Sequence, residues 1–157
     1  MTNETIQRYT RQIADSNPTQ IIVIVYEIAE NYLDEAIMAN KDGNYELFKL
    51  SINKASKCVN DLIEALDMQY EISKQLMDIY MFVNKELSMA IVKKDAETVA
   101  RIQAMLTKLK TSFEKLAASD TSGAVMGNAE EVYAGLTYGK GALNESTVSQ
   151  PNRGFTV

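Results

Sequence analysis

The side chains able to do covalent or acid–base chemistry are few in this chain of 157 residues, and their types narrow what that chemistry is. No histidine is present. That removes Ser-His and Cys-His nucleophile pairs, histidine phosphotransfer and the Glu-x-x-His ligand sets of di-iron bundles. Cys58 stands alone beside Val59 on an apolar helical pattern, which reads as a buried, inert thiol. A single cysteine also excludes an internal disulfide framework and suits a reducing compartment. The carboxylate pairs Glu27/Glu30 and Asp61/Glu64 fall towards polar helix faces, where solvation accounts for them. Tyr138-Gly139-Lys140-Gly141 is too short for a phosphate loop and follows no strand. These residues support neither catalysis nor a cofactor nor a metal site, and the expectation is a protein that is not an enzyme.

What remains is the chemistry of contact. Met77 and Met81 are four residues apart, off the core stripe of their helix, with Met89 two turns on; Met68 and Met105 also lie off the main seams. Methionine adapts its shape to a partner, but it also fills gaps at the edge of a core. Spacing alone leaves both readings of Met77 and Met81 open.

The elements that must position these side chains are helices. Asn17 is suited to cap a helix with Pro18 in its first turn, and Gly43 suits its left-handed end. Between them run two adjacent apolar stripes: Ile21, Val25, Ile28, Tyr32, Ala36 and Ala39, and then Ile22, Tyr26, Ala29, Leu33 and Ile37. Together they make a face about half the cylinder wide, against ~100° for an ordinary surface helix. Such a helix touches neighbours on two sides.

Three further helices follow with single, heptad-like stripes. The first, capped by Asn44, carries Phe48, Ile52, Ala55, Val59, Leu62 and Leu66. After a break at Asp67–Tyr70 the second carries Ile72, Leu76, Ile79, Val83, Leu87 and Ala90. The third, capped by Asp95, carries Val99, Ile102, Leu106, Leu109, Phe113 and Leu116. Short connections force antiparallel neighbours. The expectation is an all-α, antiparallel up-down-up-down four-helix bundle over residues 17–117. Its predicted core is Ile52, Val59, Leu62, Leu76, Ile79, Val83, Ile102, Leu106 and Leu109. Residues 1–16 form a short N-terminal helical arm with Ile6, Tyr9 and Ile13 on one face, so that arm and bundle make one domain over 1–117. Six of the seven glycines lie in residues 118–157, which read as an irregular C-terminal tail; its segment 130–139 keeps Val132, Tyr133, Leu136 and Tyr138.

Net charge of −5 argues against nonspecific nucleic-acid binding. No apolar run approaches the ~18 residues of a membrane span. The opening Met1-Thr2-Asn3-Glu4 lacks the basic-then-apolar order of a signal peptide. A cytoplasmic protein is expected.

The order of these features resembles the FliS family of flagellin-specific export chaperones. Ile6-x-x-Tyr9 is similar to the family's N-terminal Ile-x-x-Tyr. Pro18-Thr19-Gln20-Ile21-Ile22, followed by Tyr26-Glu27 and Ala29, resembles its Ser-Pro-x-x-Leu-Ile and aromatic-Asp-Gly-Ala blocks. Lys54-Ala55, Leu62 and Leu66-Asp67 match its second-helix pattern, and Glu71-Ile72, Leu76, Ile79-Tyr80, Phe82, Leu87, Ala90 and Asp95 resemble its next helices. The departures are Asn17 for Ser, Glu27 for Asp, Ile28 for Gly, a shorter turn at 67–70 and Phe113 where Trp is common.

The resemblance implies a bundle that binds the disordered C-terminal segment of flagellin, prevents premature polymerisation and assists export, with other flagellar export components as further partners left open. It also implies that the arm, through Ile6 and Tyr9, lies near the client. The expected client-contacting residues are Ile6, Tyr9, Ile13, Ile22, Tyr26, Ala29, Met77 and Met81. In the free protein Ile6, Tyr9 and Ile13 are expected to shield a groove near Ile22 and Tyr26. The alternative is a homodimeric structural or interaction module of four helices without a flagellin client. The expected state is a monomer or a weak homodimer.

Overall fold

The computed structural model describes residues 1–124, and these form five helices and no strand: α1 (Asn3–Asp15), α2 (Pro18–Lys41), α3 (Tyr45–Glu64), α4 (Glu71–Lys93) and α5 (Ala96–Ser119). The caps explain most of the boundaries. The Asn17 side chain accepts from Gln20 N at 2.8 Å, and the Gln20 side chain accepts from Asn17 N at 2.9 Å, so two orphan donors at the start of α2 are satisfied together. The helix ends at Lys41, and two residues on the chain turns away at Gly43, whose φ of +72° is the left-handed conformation that favours glycine. Asn44 then accepts from Leu47 N at 3.1 Å and starts α3. Asp95 accepts from Glu97 N and Thr98 N at 3.0 and 3.1 Å and starts α5. Hydrogen bonds from Thr98 hold the Asp95 carboxyl below its ordinary range.

Two boundaries shift from expectation. The break before α4 begins at Ala65, two residues earlier than Asp67. At the other end α5 runs to Ser119 rather than 117, because Ala117 and Ala118 are strong helix formers and nothing stops the helix before Asp120. The segment 130–139, with its aromatic and apolar groups, lies outside the described residues.

The long helices have 24, 20, 23 and 24 residues and make the antiparallel up-down-up-down bundle. Helix α2 packs along both α3 and α5, and α4 closes the ring against the same two. Its double stripe is thereby explained. Ile22, Tyr26, Ala29 and Leu33 point into the core. Val25 and Tyr32 lie at its edge, half-buried, with Lys54 of α3 over the Tyr32 ring at 5.4 Å.

Seven of the nine predicted core residues are buried; Ile79 and Leu109 are half-buried and pack on the core from its edge. Deep inside, the hydroxyls of Tyr26 and Tyr80 hydrogen-bond each other, and Tyr26 stacks on Phe113 with centroids 5.6 Å apart. Burial, reinforced by Tyr80, pushes the Tyr26 hydroxyl far above its ordinary pKa, so it stays protonated and neutral. Between α2 and α5 runs a polar ladder. Lys110 Nζ sits 2.6 Å from Glu30 Oε2, Thr107 Oγ1 donates to Glu30 Oε1 at 2.6 Å, and Gln103 Nε2 donates to Asp34 Oδ1 at 2.7 Å. Glu30, expected on a solvated face, is instead a half-buried tie between helices. Partial burial opposes the charge on Lys110, but its bond to Glu30 outweighs that and raises its pKa.

Candidate functional site

Helix α1 turns back at Ser16-Asn17 and runs antiparallel along the outer side of α2. The order of contacts shows the direction. Ile13 packs beside Ile21 and Val25, the hydroxyl of Tyr9 accepts from Asn31 Nδ2, and the Met1 amino group lies 3.2 Å from Glu35 Oε1. Glu35 is itself held by Ser51 Oγ of α3 at 3.1 Å. Tyr9 is the main anchor, since only 4% of it is exposed, whereas Ile6 is 47% exposed and points away from the seat. Beneath the arm, Ile24 lies seven residues from Asn31, hence on the same side of α2, and is buried although it faces away from the bundle core. The arm therefore covers an apolar strip that the other three long helices leave open.

Beside this seat is a groove of about 600 Å³ between the end of α1, the start of α2 and the end of α5. Its floor is Val23, Ile24 and Ala117, and its rim carries Arg11, Asp15 and Glu114. The chain leaving α5 closes one end of it. Thr19 Oγ1 donates to Asp120 Oδ2 at 2.7 Å, and Asn17 Nδ2 donates to the Asp120 carbonyl at 3.4 Å. Partial burial would raise the Asp120 pKa, but hydrogen bonds from Ser122 and Thr19 outweigh it and hold the carboxyl below its ordinary range. The hinge of the arm and the base of the tail are thus tied at one place.

A second apolar surface lies on the far side of the bundle. Asn84 of α4 donates to Asn60 of α3 at 2.7 Å, so that flank of α4 faces α3. The opposite flank carries Ile72, Ile79, Phe82 and Met89, spaced by seven, three and seven, and faces α5. On α5 the Gln103–Lys110 flank faces α2, which leaves Met105, Leu109 and Leu116 towards α4. Ile72, Phe82, Met89 and Leu116 are each 40–46% exposed, and Ile79, Met105 and Leu109 are half-buried behind them. They form an open apolar seam between α4 and α5.

The structure separates the expected contact residues into three groups. Tyr9 and Ile13 sit at the arm's interface with α2, and Ile6 lies outward on the same helix. Ile22, Tyr26 and Ala29 are fully buried among the long helices and line no surface; the arm rests beside them on α2, at Ile21 and Val25 of the neighbouring stripe and at Ile24. The groove expected near Ile22 and Tyr26 is therefore displaced by one stripe. Met77 is half-buried and Met81 58% exposed on the outer and α3-facing side of α4, apart from both arm and seam. Met105 does fill the core edge, as one reading of such methionines requires. Asn31, Glu35 and Asp120 carry no periodic signal, because each is a polar residue on a polar face, and sequence reasoning missed them. The seam did carry one, in the spacing of Ile72, Ile79, Phe82 and Met89.

Burial, with Asp61 nearby, pushes the Cys58 thiol up to about 12, so the thiolate is absent near neutral pH. Among the described residues no group of three or more acidic or cysteine side chains is placed to hold a metal ion, and no helix is long and apolar enough to cross a membrane.

The family model described as flagellar protein FliS matches residues 1–120, which takes in the arm and all four long helices. No curated protein matches the chain.

Proposed function

Because the chain belongs to the FliS family of flagellar proteins, a chaperone family rather than an enzyme family, we propose that it binds the C-terminal segment of newly made flagellin in the cytoplasm. It keeps that segment from polymerising early and presents the subunit for export. A disordered amphipathic segment that folds on binding loses ordering entropy, so it needs wide apolar contact with modest affinity per unit area. The observation that carries this reading is the arm: a helix of 13 residues, too short to be stable alone, latched by Tyr9 over Ile21 and Ile24. Such a helix is the part of the molecule most readily exchanged for an incoming one.

Within this proposal the client residues have different roles. Tyr9 and Ile13 hold the arm on its seat and reach the client once the arm lifts. Ile6 offers an exposed anchor from the start. Ile22, Tyr26 and Ala29 support the seat from beneath, and Met77 and Met81 offer a separate contact on α4, across the bundle from the arm. Titration calorimetry with a flagellin C-terminal peptide tests it. Replacing Ile6 and Tyr9 together by alanine weakens binding by roughly 1–3 kcal/mol, the loss typical of interface anchors. An unchanged affinity removes the arm from the site. Molar mass in solution separates the alternative: a monomer that becomes a 1:1 complex supports the chaperone, and a dimer indifferent to peptide supports a homodimeric module.

A further inference from the structure

The α4/α5 seam is mainly apolar, interrupted on α4 by half-buried Glu86 seven residues beyond Ile79, and neither the arm nor the groove beside it uses it. Four large side chains 40–46% exposed, three on α4 and one on α5, are not the scattered apolar residues of an ordinary surface. The chain itself carries a candidate to cover them. Residues 125–157 follow Ala124, and within them Val132, Tyr133 and Leu136 recur at helical spacing. Asn128 followed by Glu131 has the capping-box order, and Gly139 suits a helix end.

We propose that the segment Glu130–Tyr138 docks into the α4/α5 seam of its own bundle, with Val132, Tyr133 and Leu136 against Ile72, Phe82 and Leu116. Position supports this. The end of α5 and the start of α4 lie at the same end of the bundle; Leu116 is about one turn in from the end of α5, and Ile72 is the second residue of α4. Five linking residues reach about 17–18 Å at ~3.3–3.6 Å each, whereas neighbouring helices are about 8–10 Å apart. The tether therefore crosses to the seam although Asp120 is tied to α2.

Charge supports it too. Exposed Lys108 and Lys115 lie seven apart on the outer rim of α5, where Glu130 and Glu131 meet them. Glu71 and Asp78 on the α4 rim repel the same pair and set the orientation. The groove at the arm is the nearer apolar site, but its rim sets Asp15 and Glu114 against the single cation Arg11, so its net charge repels that acidic pair. A second copy of the chain competes for the seam at solution concentration, whereas a tethered segment acts at an effective concentration of order millimolar.

Disulfide trapping in the full chain tests this. With Cys58→Ala as background, one protein carries Ser112→Cys at the seam rim and Ala134→Cys in the segment; a control carries Asn53→Cys on the outer side of α3 with the same Ala134→Cys. Docking makes the intramolecular 112–134 bond form at least about tenfold faster than the 53–134 bond, and adding Tyr133→Ala with Leu136→Ala removes the preference. Circular dichroism verifies that each variant keeps its helices. Similar rates for the two pairs, or a preference that survives the Tyr133 and Leu136 changes, overturn the proposal. Trapping between chains rather than within one also overturns it and makes the seam an interface between copies.

Discussion

Removing one oxygen atom from Tyr9 isolates the latch of the arm. In Tyr9→Phe the ring stays buried and only the hydroxyl that accepts from Asn31 Nδ2 is lost. Asn31 is exposed and keeps its second bond, to Glu27 O at 3.0 Å, so no buried polar group is stranded. The cost is then the net value of one hydrogen bond, about 0.5–1.5 kcal/mol, and it falls on docking of α1 alone. The freed arm does not persist as a helix, because 13 residues are too few for stability in water. Hydrogen exchange therefore reads docking directly. Amides of α1 lose protection by roughly 2- to 10-fold, the conversion of that energy at tenfold per ~1.4 kcal/mol. Amides around Ile102–Leu106 in α5, which open only with the whole bundle, keep theirs. Equal losses in α1 and α5 would show that arm and bundle unfold as one unit. Unchanged exchange in α1 would show that Tyr9 is not the latch.

Leu106→Ala, at a fully buried position, costs about 2–5 kcal/mol in urea unfolding. A value below ~1 kcal/mol for Leu106 would contradict its place in the core. Gly43→Ala costs about 1–2 kcal/mol although the site is open, since the φ of +72° and not space is the obstacle. The Asp120 pKa is depressed in the folded protein, so its stabilisation is present above the ordinary aspartate value of about 3.9 and is lost as pH falls through the lower folded value. Asp120→Asn is accordingly less stable at pH 7, by about 0.5–1 kcal/mol after solvent screening, and the gap closes in thermal unfolding below pH 4. A gap that persists there would assign the loss to packing rather than to charge.

How much was legible from residue order depends on how local the signal is. The stripes of α3 and α5, and the caps at Asn17, Asn44 and Asp95, are properties of a few consecutive residues, and they determined four antiparallel helices and most of their limits. Composition by itself, with no histidine and a lone Cys58, likewise decided that histidine chemistry is absent. The double stripe of α2 announced two neighbours but not which stripe met which. Ile21 and Ile22 have equal hydrophobicity and adjacent positions, yet Ile22 belongs to the core and Ile21 to the seat of the arm. The same limit applies to α4, whose methionine flank and whose Phe82 flank look alike in one dimension. Only the tertiary structure, by placing α3 on one side and α5 on the other, decided which flank is tied by Asn84 and which is left as an open seam. Periodicity states which face of a helix is apolar; the neighbour that covers it is set by contacts between residues far apart in the chain, such as Tyr9 with Asn31 and Thr19 with Asp120.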